Sequence, residues 1–132
     1  IYGVGRSAID TVRAGVAKRV HKDGHAFNRL HVEDVVQVLT STIDQHTTGD
    51  IYNLADDNPM GSAELIEHAC KLLGKTPPPL LEYDDDLDMS PMARSFYKDN
   101  KRVCNKKIKD KLGVTLKYPD YKSGLDAIFE KE

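Results

Sequence analysis

Tryptophan is absent, cysteine occurs twice, and no long apolar run is found among the 132 residues. Cys70 and Cys104 are far apart and form no C-x-x-C pair. That removes the spacing of a zinc ribbon or a redox dithiol. So few cysteines fit a reduced, cytoplasmic setting with free thiols. The longest uncharged apolar run is only a few residues, too short to span a bilayer. No charged-apolar-small leader pattern opens the chain, so no secretory signal is read. A basic excess is lacking too: 19 lysines and arginines stand against 21 aspartates and glutamates, for a net charge of -2. Without a positive field to hold a phosphate backbone, nucleic acid is not an expected partner, and neither is a membrane.

What is present is one domain's worth of chain, 39% hydrophobic and 30% charged. A single domain over residues 1–132 with one modest core is expected. Ser7 opens a short helix over 7–14, with Asp10 as capping-box partner and Gly15 as its stop. Residues 17–30 read as extended, with Asp23-Gly24 as a hairpin turn between 18–21 and 25–30. The clearest helix is 32–45, with Val35, Val36, Leu39 and Ile43 at helical spacing. A strand at 51–55 follows, the one segment suited to a buried sheet. A helix at 62–73 carries Leu65, Ile66, Ala69 and Leu72, and Gly74 closes it. Residues 80–83 read as a short strand, and Asp84-Asp85-Asp86 as a solvated loop. Ser90-Pro91 starts a two-turn helix with Met92 and Phe96. Arg102-Val103 reads as extended. Asn105 caps a basic helix ending at Gly113, and a last helix over 120–130 turns Leu125, Ile128 and Phe129 inward. The expected class is α/β with helix dominant.

Gly3-Val4-Gly5-Arg6-Ser7-Ala8 matches G-x-G-x-x-G/A, a dinucleotide phosphate loop, and Asp23 lies at the distance of a ribose binder. The next segment, Ala17-Lys18-Arg19-Val20-His21-Lys22, is too charged for the doubly buried second strand of such a fold. A tight glycine turn onto a helix is the simpler reading. Tyr-x-x-x-Lys, the acid/base pair of many dehydrogenases, occurs at Tyr97/Lys101 and Tyr118/Lys122. Asn100 and Pro119 interrupt a continuous helix through either pair. The five histidines, at 21, 25, 31, 46 and 68, have no helical ligand spacing except His21/His25 across a turn, so no metal site is expected. Glu33 and Asp34 suit a helix first turn whatever the function. Arg94, with the flanking hydroxyls of Ser90 and Ser95, is a candidate anion clasp.

In order, four segments carry a resemblance: Ile1-Tyr2-Gly3-Val4-Gly5-Arg6, Arg29-Leu30-His31-Val32-Glu33-Asp34-Val35, Ile51-Tyr52-Asn53-Leu54-Ala55-Asp56, and Asn100-Lys101-Arg102-Val103 running to Leu112-Gly113. They resemble the C-terminal half of the extended short-chain dehydrogenase/reductase family, the NAD-dependent epimerase/dehydratase group, in an atypical branch. The resemblance implies the substrate-binding portion of a Rossmann-type enzyme, with one or two strands that would join a parent sheet. The glycine-rich cofactor loop and catalytic Tyr-x-x-x-Lys would lie before Ile1. NAD or NADP would belong to the complete protein, with none held tightly by this chain. Tyr2 and Gly3 would face the cofactor. Arg6, Arg29, His31 and Arg94 would position a small-molecule substrate. Phe27 stands where sugar-nucleotide binders of the family often carry arginine, which weighs against that substrate.

The expectation is therefore a piece of an NAD(P)-dependent oxidoreductase or epimerase, inactive alone. Its apolar face would be left bare for self-association. Two rivals remain: a stand-alone binding module with a self-contained core, and a small dinucleotide-binding domain built on residues 3–8.

Overall fold

The structure is a computed structural model and describes residues 1–46 and 48–131. Six helices and two strands follow in the order α1 (Ala8–Arg13), β1 (Arg19–His21), α2 (Val32–Asp44), α3 (Ala63–Leu72), β2 (Leu80–Glu82), α4 (Pro91–Lys98), α5 (Lys106–Leu112) and α6 (Tyr121–Lys131). The result is a helix-rich α/β fold with a two-stranded parallel sheet. No described helix is long and apolar enough to cross a membrane.

Local chemistry sets most helix ends. Ser7 and Asp10 form a full capping box on α1. Ser90 Oγ accepts from Ala93 N at 3.1 Å, and Pro91 occupies the first turn of α4. Gly74 and Gly113 take the left-handed conformation that ends α3 and α5. Asn105 does not cap α5. Its amide instead donates to Ala55 O at 3.0 Å and Asp57 Oδ1 at 2.7 Å, tying the 51–57 segment to α5.

Two cores form. Ile9 and Val12 of α1, Ile66 and Ala69 of α3, and Leu125 and Ile128 of α6 make the first. Val38 of α2, Leu30, Ile108 and Leu112 of α5, and Leu116 make the second. Asp34 anchors α2 beside them. It is fully buried, and its two carboxylate oxygens accept from the backbone amides of Lys117 (2.7 Å) and Tyr118 (3.0 Å). Glu33, one residue earlier, accepts from Lys117 Nζ at 2.6 Å and Lys131 Nζ at 2.5 Å. These ammonium groups hold its carboxyl down to about 2.

Several expectations change. The hairpin over 18–30 does not form. Gly24 does turn the chain, but β1 pairs in parallel with β2, Val20 opposite Leu81. Beyond the turn, His25 Nε2 bonds the Phe96 and Asp99 carbonyls, and Phe27 bridges Met60, so the chain is drawn away from β1. Residues 51–55 are extended but not a strand, because their backbone amides donate to no described residue and no ladder forms. The apolar stripe of α2 splits. Val38 faces α5, while Val32, Val36, Leu39 and Ile43 lie open, Ile43 at 70% exposure. Met92, Phe96 and Phe129 are exposed as well, and Tyr97 is the aromatic that α4 buries.

Asp34→Ala leaves two buried amides without an acceptor. It is expected to cost about 3 kcal/mol of stability, read as a lower urea midpoint with an unchanged slope.

Candidate functional site

Backbone pairing brings the first residues of the chain against the start of α2. Tyr2 N donates to Leu30 O at 3.1 Å, and Val32 N donates to Tyr2 O at 2.8 Å. This parallel bridge sets Tyr2 beside Arg29 and His31. Gly3 and Arg6 then close a turn by exchanging backbone hydrogen bonds at 3.2 and 3.0 Å, with Gly5 at φ +74°. Gly3 has no room for a side chain, because a Cβ there would stand 2.7 Å from Val32 Cγ1.

Tyr2, Arg6 and Arg29 line one cavity of about 380 Å³, floored by Leu65 and Ile66 of α3 and Leu125 of α6. The Tyr2 phenol lies over Gly124, where a Cβ would collide with its oxygen at 2.0 Å. Burial first, then the charges of Asp56, Asp120 and Asp34, push the Tyr2 hydroxyl far above its ordinary range. The hydroxyl therefore stays protonated and serves to orient, not to accept a proton. Arg29 donates to Met60 O and Gly61 O, both at 3.0 Å, and more weakly to Phe27 O at 3.4 Å. Met60 and Gly61 line a second cavity of about 230 Å³, so the hydrogen bonds of Arg29 tie the first cavity to the backbone of the second.

The remaining expected site residues lie elsewhere. His31 is buried between the rings of Tyr2 (5.2 Å) and Tyr118 (4.2 Å). Its Nδ1 accepts from Glu33 N at 3.2 Å as the cap of α2, and burial holds its pKa down. It braces Tyr2 and does not line the cavity. Arg94 donates to the carbonyls of Asp85 and Leu87, fastening the 84–88 loop onto α4. Neither Tyr-x-x-x-Lys pair assembles. The Tyr97 hydroxyl bonds Ser62 Oγ at 2.7 Å while Lys101 pairs with Asp99. The Tyr118 hydroxyl reaches Glu33, and Lys122 lies over the Tyr121 ring. No metal-ligating cluster occurs among the described residues.

A dinucleotide phosphate does not fit residues 3–8. At the start of α1 the Asp10 carboxylate already accepts from Ser7 N and Ser7 Oγ, both at 2.7 Å, so the donors a pyrophosphate would need there are taken. Gly3 makes room for Val32, not for a ligand.

Two features escaped sequence reasoning. The second cavity is walled by His25, Phe27 and Tyr97, whose rings stack or meet edge-on at 4.7 to 5.3 Å, with Ser62 hydrogen-bonded to Tyr97. The His25/Phe27 pair, Ser62 and Tyr97 come from three segments 35 or more positions apart, and no local pattern joins them. The other feature is Asp56, 3% exposed, whose Oδ2 has no hydrogen-bond partner. Its Oδ1 accepts from Asn58 N at 3.1 Å. Burial pushes this carboxyl up to about 6, against the pull of Asn58 N and Arg29.

No family model matches the chain. It is similar to Protein YeeZ of Escherichia coli strain K12, 29% identical over 105 residues, which are 79% of this chain and 34% of YeeZ. The structure of a functionally unknown conserved protein from Silicibacter pomeroyi DSS superposes with a TM-score of 0.90 at 43% identity, over 98% of this chain and 45% of that one. UDP-N-acetylglucosamine 4-epimerase from Bacillus cereus superposes with a TM-score of 0.61 at 12% identity, over 98% and 40%. The chain thus spans about a third of YeeZ and under half of each solved relative. It shares the fold of part of such an epimerase.

Asp56 binds its proton more tightly folded than unfolded. Its protonation favours the fold below the ordinary carboxyl value of 3.8, and that benefit is lost as pH rises through about 6. Asp56→Asn, which keeps the acceptor for Asn58 N, is expected to stabilise the protein by about 2 kcal/mol at pH ~7.5 and to change little at pH ~4. Thermal melts of both proteins across this range check it.

Proposed function

We propose that this chain is the substrate-binding part of a longer NAD(P)-dependent oxidoreductase of the epimerase/dehydratase type. The reacting groups and the cofactor loop belong to the rest of that protein. There, a hydride would pass between nicotinamide and a substrate carbon. The observation that carries this reading is the uncovered apolar face of α2. Val32, Val36, Leu39 and Ile43 run along it, joined by the exposed Ile1 and by Ile51 at 81% exposure. A helix apolar on two faces is built to be covered on both. Beside it, residues 51–55 offer backbone amides that donate to no described residue, the state of a strand awaiting a neighbour.

Tyr2 and Gly3 stand at the cofactor side of the cleft, and Arg6 and Arg29 hold substrate. His31 contributes by fixing Tyr2, and Arg94 by fixing the 84–88 loop. The similarity to the epimerase supports the fold on which this division rests, and the lengths of the solved relatives leave room for the missing partner. Because the phosphate loop is not formed by residues 3–8, the cofactor's phosphates fall to the other part.

Calorimetric titration of the 132-residue chain with NAD and with NADP is expected to show no micromolar binding. Light scattering is expected to show an apparent mass that grows with concentration as copies cover the bare face. Micromolar binding of either dinucleotide overturns the division of labour. A clean monomer at every concentration favours the rival, a self-contained binding module.

A further inference from the structure

We infer that the cavity at Tyr2, Arg6 and Arg29 seats a compact oxyanion, the carboxylate or phosphate of the substrate, and that Asp56 sets the pH range in which it does so. This rests on the proposed reading only in taking that cavity as the substrate's seat.

The donor count of Arg29 points to the ligand. A guanidinium carries five N–H donors. Three hydrogen bonds run from Arg29 to carbonyl oxygens: two from Nη1, to Phe27 and Met60, and one from Nη2, to Gly61. Nε–H and the second Nη2–H meet no acceptor among the described residues. The carbonyls hold the plane of the group fixed while leaving a pair of donors, which is how a guanidinium is prepared for a carboxylate or phosphate. Arg6 lines the same cavity and donates to no described side chain. Arg6 and Arg29 thus border a cavity whose floor is apolar, while at its α1 edge the Asp10 carboxylate is engaged by Ser7 N and Oγ, so an anion with a short apolar stem would be held between the two guanidinium groups and that floor.

Asp56 is not part of the cavity wall. Its backbone amide donates to Arg29 O at 2.7 Å, which places it against the same segment. The charged and titratable groups that act on its carboxyl are Arg29 and Tyr2 from the segments forming the cavity, Asp57 on its own segment, and Asp120 from the turn before α6. Glu64 of α3 and Tyr97 of α4 also act on Arg29. When Asp56 is ionised it offsets one of the two cations that an anion would meet. When it takes a proton, that offset disappears. Burial holds its proton until about pH 6, so the change falls within a range that solution conditions reach.

Fluorine NMR titration of the whole 132-residue chain with trifluoroacetate, and competition by sulfate, tests this. Trifluoroacetate represents a carboxylate and sulfate a phosphate, and neither titrates between about pH 5 and 8. Saturable binding is expected, about fivefold tighter at about pH 5 than at about pH 7.5, the effect of one unit charge a few ångströms away in a partly solvated site. Asp56→Asn is expected to bind at the higher pH as the unaltered chain does at the lower, with a flat profile. Arg6→Gln, which breaks no internal hydrogen bond, is expected to weaken binding about fivefold. Preference for sulfate identifies a phosphate as the natural group, and preference for trifluoroacetate a carboxylate. Absence of saturable binding, or an Arg6→Gln variant that binds unchanged, overturns the oxyanion seat. An Asp56→Asn variant that keeps the pH profile overturns the role of Asp56. None of these outcomes bears on whether the chain binds dinucleotide or self-associates, so the two proposals fail separately.

Discussion

One buried carboxylate fixes the arrangement on which everything else depends. Asp34 sits in the first turn of α2 and gives one oxygen to each of two amides, at Lys117 and Tyr118. That double bond of hydrogen joins α2 to the approach of α6, two elements more than 80 residues apart in sequence. It also sets the start of α2, where the His31 ring lies tilted against Tyr118 and meets Tyr2 edge-on. Tyr2 in turn rests over Gly124 of α6, so both ends of the arrangement return to the same helix. A charged group buried without a countercharge is costly unless its lone pairs are filled by good donors. Here backbone amides fill them, and the cavity at Tyr2, Arg6 and Arg29 takes its shape from the result.

The second governing feature is an imbalance. The first core packs α1, α3 and α6 against one another around Ile9, Ala69, Leu125 and Ile128. The second, between α2 and α5, is closed on the α5 side only, while the opposite side of α2 carries four exposed aliphatic residues. Exposed apolar area of this kind on one helix has no use in a finished surface, and the adjoining residues 51–55 have backbone amides with nothing to bond. The second wall proposed above would cover both.

What the sequence made legible followed local rules. The α1 capping box, the Ser90-Pro91 start of α4, and the Gly74 and Gly113 stops depend on residues three or four apart, and each formed as expected. Tyr2, expected toward the cofactor, and Arg6 and Arg29, expected toward substrate, line one cavity, while His31 and Arg94 do not. What local pattern did not reveal depends on distant chain. The Asp23-Gly24 turn exists, yet the pairing went to residues 80–82, because His25 and Phe27 found better partners at 96–99 and at Met60. Periodicity marked Val36, Leu39 and Ile43 as apolar but does not say what covers them. Asp56 looked like one acid in a turn cluster, and only the fold shows its second oxygen buried and unpartnered.

Amide hydrogen exchange of residues 51–54 in dilute solution tests the central claim, that this molecule presents an extended segment with unbonded amides alongside an uncovered helix face. The account predicts exchange close to that of an unfolded peptide at these four positions, alongside strong protection at Val38 and Leu125. Protection at 51–54 equal to that of the core, in a monomer, would mean that the edge is already filled from within and that no second wall is missing.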